Sequence, residues 1–304
     1  MNKFTLKRIL LLMTASMLAA CGSSNSVNYL PLNYTSINYT DYTIPPPYYQ
    51  AIDFSRNLVS ENDRSAFLNI TSLGLFPISS MPDNRGIITN SAFKLTAFYE
   101  GDHSIDIYVN PEFGIEDFAE QEAMNYAEVI GRVPAFLRNG IAEVYLHQGD
   151  EPLVGENNYL IIYSDRADTL NGEGILEEVL IHESVHVSLD NVLTFSNEWQ
   201  LAQFNDGIPI SLLAYDLFYE DAAESLLSYL AVRYRANRLP VSVEQTILAT
   251  IPNRIDYLDF LGFDMNPIVQ DQAGEWISDN DQTIISYQPF LFAYYEQWEQ
   301  YLSY

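Results

Sequence analysis

Two stretches in the first half of the chain alternate apolar and polar residues. Ala92–Tyr99 and Ser104–Val109 are bounded by Gly101-Asp102 and Asn110-Pro111, so they read as paired strands. A helical period takes over from Ile115 or Glu116 and runs to Ile130, where Gly131 and the approach to Pro134 stop it. Ile141–His147 and Tyr159–Tyr163 read as two further strands, joined by a loop from Gln148 to Asn158. Asp168 to Gly174 is polar and reads as a loop, followed by a helix from Gly174 to Asp190. The second half is mainly helical. Tyr219–Asn237 carries Ala223, Leu226, Leu227, Leu230, Ala231 and Tyr234 on one face, and helical stretches flank Pro252 between Val243 and Leu261. Gln288–Tyr304 is dense in aromatic residues and reads as a closing amphipathic segment. This order predicts an α+β fold: a small mixed sheet with a helix packed on it, then a helical lobe.

The helix after Gly174 carries chemistry on its apolar side. Leu176, Leu180, Glu183 and Val187 share one row, and Ile175, Val179, His182 and His186 form the next. Glu177, Ser184 and Ser188 fall outside that stripe. His182-Glu183-Ser184-Val185-His186 thus sets two imidazoles one turn apart, with a carboxylate beside them, where leucines are expected. Burying such groups without a partner is costly, and one shared metal ion resolves the cost. The histidines would bind it, and Glu183 would take a proton from water.

Two histidines leave a catalytic zinc site one ligand short. His103 and His147 lie upstream and read as structural, His147 being the better candidate for a substrate cleft. Asp190 continues the row of His182 and His186 but lies a turn too far to converge on one ion, so it is expected to cap or orient the helix end and to stand behind the ligands, as Glu224 does. Glu220 and Glu224 are four apart, and their row continues through Leu227 and Ala231 at the edge of a buried stripe. Glu220 is therefore the expected third ligand, with Glu224 hydrogen-bonded to a ligating histidine.

With these residues in view, the chain resembles the gluzincin branch of the zincin metallopeptidases. Glu220-Asp221-Ala222-Ala223-Glu224 is similar to the E-x-x-A-E segment of lethal-factor-like peptidases, and the likeness spans roughly residues 90–235. It implies a zincin-like fold, one zinc per chain and a peptide or protein substrate, cleaved between an α/β lobe (52–190) and a helical lobe (191–304). The chain departs from the pattern where a transition-state tyrosine is expected. Leu213 occupies that place, with Tyr215 and Tyr219 nearby, and Tyr215 is the candidate for the role.

Composition adds an address. Lys3, Lys7 and Arg8 precede an apolar run from Ile9 to Leu18, too short to span a bilayer, and small residues lead to Cys21. Leu18-Ala19-Ala20-Cys21-Gly22 resembles the lipobox of bacterial lipoproteins, and Cys21 is the only cysteine in the chain. The expectation is a signal peptide over residues 1–20, lipid on Cys21 and a Ser-, Asn-, Tyr- and Pro-rich tether over 21–51. An ordinary signal peptide cut at Ala19-Ala20 is the alternative. Gly22 in place of aspartate implies, by the same resemblance, anchorage in the outer membrane of the bacterial envelope. With 14 basic against 41 acidic side chains and a net charge of −27, the chain is not a nucleic-acid binder. Two rival functions stand beside the peptidase. One is a non-catalytic envelope lipoprotein that binds a protein or glycan. The other is a metal hydrolase of a cell-wall amide.

Overall fold

The computed structural model describes residues 56–211, 213–214 and 219–271. The leader, Cys21, the tether, Tyr215 and the segment from Gln288 lie outside the described residues. The fold is α+β around a six-stranded mixed sheet. Its strands are β1 (Phe67–Pro77), β2 (Ser91–Tyr99), β3 (His103–Val109), β4 (Glu143–His147), β5 (Val154–Glu156) and β6 (Tyr159–Tyr163). Their order is β1-β2-β3-β4-β6-β5, with β3, β4 and β6 parallel and the outer pairings antiparallel.

The helices are α1 (Glu116–Ile130), α2 (Ala135–Arg138), α3 (Ser164–Glu173), α4 (Leu176–Ser188), α5 (Asn197–Asp206), α6 (Glu220–Tyr234), α7 (Val241–Thr250) and α8 (Pro252–Leu261). Alternation sends Leu95, Ala97, Tyr99, Ile105, Ile107, Val109, Val144, Leu146, Leu160 and Ile162 to one face of the sheet, where they meet the helices. The same core continues through Leu180, Val185, Leu226 and Leu230, so α4 and α6 pack into it together. On the opposite face Tyr108 stacks on Tyr145 at 5.3 Å, and Tyr145 meets Tyr159 edge-on at 5.5 Å.

The sequence reading of β2, β3, β4, β6, α1 and the two major helices holds, with ends shifted by a few residues. Three local expectations are corrected. The stretch from Gln148 to Asn158 is not all loop, because it contains β5 on the sheet edge. Most of the segment read as a polar loop, from Asp168, is the second half of α3, which buries little beyond Ala167 and ends at Gly174 with φ 71°. Helix α4 has no solvated polar face. Glu177, Glu178 and Ser184 are all buried. Ser184 donates to the Leu180 carbonyl at 2.6 Å, and Glu177 faces Arg132 at 3.4 Å.

Glu178 is the costliest of these groups. One of its oxygens accepts the Val59 N–H at 2.9 Å, across 119 residues of chain. Burial pushes its carboxyl well above the usual carboxylate range, against the pull of that backbone donor. A carboxyl raised on folding stabilises the fold below its unfolded pKa of 4.5 and loses that contribution as pH rises through the folded value. Glu178→Gln should therefore gain thermal midpoint over the wild type as pH is raised from about 4.5 toward neutral. A midpoint difference that stays constant over that range would show that Glu178 does not titrate this way.

Candidate metal centre

The middle of α4 and the start of α6 bring together the three residues expected to share an ion. His182 Nε2 lies 2.9 Å from Glu220 Oε2, His186 Nε2 lies 3.3 Å from the same oxygen, and the two Nε2 atoms are 3.2 Å apart. Among the described residues this is the one cluster of three such side chains able to hold a metal. A tetrahedral ion with bonds of about 2.0–2.2 Å needs ligand atoms about 3.3 Å apart, so the triangle has the right size. Two imidazole nitrogens and one carboxylate oxygen are a donor set that a first-row transition-metal dication such as zinc can take.

The outer nitrogens are held by carboxylates. His186 Nδ1 lies 2.9 Å from Asp190 Oδ2, and His182 Nδ1 lies 3.5 Å from Glu224 Oε1. Asp190 accepts a hydrogen bond from Nδ1–H of His186 and Glu224 faces Nδ1 of His182, so each Nε2 is turned toward the shared point. Asp190 reaches back because α4 ends at Ser188 and the chain continues as one π-helical turn, Asp190–Thr194. Asp190 thus holds the His186 ring, as expected of a residue behind a candidate ligand.

These contacts set the charges. Burial opposes protonation of His182, but hydrogen bonds to Glu220 and Glu224 outweigh it and lift the imidazole to about 10. His186 is likewise raised, with burial overcome by Asp190 and Glu220. Burial alone would raise Glu220, yet the two histidines hold it well below the usual carboxylate range. The carboxylates around the two imidazoles therefore favour positive charge in the pocket, which a divalent ion could supply in place of imidazole protons.

Glu183 is buried on the same turn as His182. Burial raises its carboxyl, countered in part by the charges of His182 and His186 and by the Gly155 N–H. A raised carboxyl is suited to receive a proton near neutral pH. Gly155, on the edge strand β5, donates to Glu183 Oε2 at 2.7 Å.

The sequence reading missed the anchors of α6. Asp221 Oδ2 accepts from Arg254 Nε at 3.0 Å and from Gln203 Nε2 at 2.6 Å, and Arg254 Nη1 also donates to Asp206 at 3.1 Å. These bonds tie the first turn of α6 to α5 and α8 and so fix Glu220. A buried arginine paired across 33 residues has no periodic signature. Gly155 was missed too, for it is one glycine in a three-residue strand.

His147 is structural, as its place on a strand suggested, and does not serve a cleft. It is fully buried, its Nε2 lies 2.7 Å from the Pro82 carbonyl, and its Nδ1 accepts from Asn110 at 3.0 Å. Burial holds its pKa down. Leu213 is buried, and Tyr219, beside Glu220, packs edge-on against Phe195 at 6.3 Å between ring centres. No protein-family model, curated protein or solved structure matches the chain.

Proposed function

We propose that the chain is a zinc-dependent peptidase of the gluzincin type, held at the bacterial envelope by lipid on Cys21. One observation carries this reading: Glu183 sits buried beside three convergent ligand atoms whose histidines are each backed by a carboxylate. Zinc held by His182, His186 and Glu220 would act as a Lewis acid toward a scissile carbonyl and bring the pKa of water near neutral. Glu183 takes the proton of the attacking water and returns it to the departing amine. Asp190 and Glu224 keep the imidazoles in the ligating tautomer. Tyr215, five residues before Glu220, is the proposed donor to the developing oxyanion. Among the described residues no strand pairs with the outer side of β5, which lies next to Glu183, and an extended peptide can add to such an edge.

A buried general base speaks against a binding protein with a structural metal, which has no use for one. To separate the remaining readings, the chain lacking residues 1–21 is loaded with zinc and incubated with casein and, separately, with purified peptidoglycan. Casein should be fragmented, the activity lost with a zinc chelator and restored by zinc. Cleavage of peptidoglycan alone would replace the peptidase with an amide hydrolase of the cell wall. No cleavage of either would favour the binding protein.

A further inference from the structure

Gly155 approaches α4 more closely than any other residue type allows. A Cβ built on it would lie 1.9 Å from the Glu183 carbonyl oxygen and 2.7 Å from the carbonyl carbon, both backbone atoms that cannot swing aside. The missing side chain therefore lets the edge strand rest directly on the turn that carries Glu183. The approach has a second consequence, the bond from the Gly155 N–H to Glu183 Oε2 at 2.7 Å. In the β5–β6 ladder Gly155 stands opposite Leu160. Since its N–H is turned to Glu183, its carbonyl leaves the ladder on the same side, because both groups of one residue in an antiparallel strand point the same way.

We propose that Gly155 is a positioning residue for Glu183, an inference that rests on the peptidase reading. Its N–H fixes one carboxylate oxygen and so sets the orientation in which the carboxylate meets the attacking water. The general base is thereby held by the sheet edge as well as by its own helix. Glu183 follows the strand on which a substrate would lie. An extended chain along that edge meets an acceptor at Gly155 and no donor, since the donor is taken by Glu183.

Two measurements test this. The first is hydrogen–deuterium exchange resolved to single amides in the metal-free whole chain, which needs no activity. The Gly155 amide should exchange at least about tenfold faster in Glu183→Ala than in the wild type, since it loses Glu183 Oε2 as acceptor while the strand pairing persists. The Glu156 amide, one residue along, serves as the reference and should not change. Equal Gly155 rates in the two proteins, or equal acceleration of Glu156, would overturn the contact.

The second replaces the Gly155 amide by an ester, which removes the N–H without adding a Cβ. With fluorescein-labelled casein as substrate, kcat should fall about 10–100-fold while KM and zinc content stay at wild-type values. An unchanged kcat, or an effect confined to KM, would overturn the positioning role. If the wild type cleaves no casein, the peptidase reading and the role both fail, while the exchange result still decides whether the contact exists.

Discussion

Glu183→Gln is expected to bind zinc as the wild type does and to lose about a thousandfold in kcat for casein hydrolysis, read by zinc analysis alongside initial rates. Glutamine keeps the volume of the side chain and can still accept the Gly155 N–H through its amide oxygen, so the turn is undisturbed. What it loses is the capacity to receive a proton. General acid–base catalysis is worth about 10²–10⁴-fold, and Glu183 performs both transfers in the proposed cycle. A variant with normal zinc content and undiminished turnover would remove Glu183 from the chemistry.

The second large effect concerns the ion. Glu220→Ala should abolish tight zinc binding, because it removes one of three donors and leaves two histidines on one helix face. Asp190→Ala and Glu224→Ala should each weaken zinc by about 10–100-fold, since they only orient the ligands. Asp190 should matter more, at 2.9 Å from His186 against 3.5 Å for Glu224 and His182. Zinc affinity should rise with pH, because the neighbouring carboxylates favour proton binding by both imidazoles, and zinc must compete with those protons. Equilibrium competition with a chromogenic chelator measures all of these. Zinc lost from Asp190→Ala but kept by Glu220→Ala would reassign the third ligand.

The parts of this molecule that were legible in the sequence are those governed by local period. Strands β2, β3, β4 and β6 alternate cleanly because one face meets the helices, and α4 and α6 show their inward stripes. The candidate ligands stood out because ionisable groups occupy places where apolar ones belong. The structure shows Glu183, His182, His186, Glu220 and Glu224 on that inward side.

What the sequence hid was non-local or too short to show a period. Strand β1 has register shifts at Phe67/Asn69 and Ser72/Leu75, which break its alternation. Strand β5 has three residues. The charged side of α4 looked solvent-facing, since nothing in a helical wheel reveals that Val59 or Arg132 will arrive to satisfy it. The placement of Glu220 likewise depends on Arg254, which joins Asp221 and Asp206 from another helix.

The most direct test of the central claim is zinc-edge X-ray absorption on the purified chain, wild type beside Glu220→Ala. The proposal predicts one zinc with two imidazole nitrogens at about 2.0–2.1 Å and a carboxylate oxygen at about 2.0–2.2 Å, the oxygen lost in the variant. A spectrum with no zinc, or a coordination shell identical in wild type and Glu220→Ala, would contradict the metal centre described above.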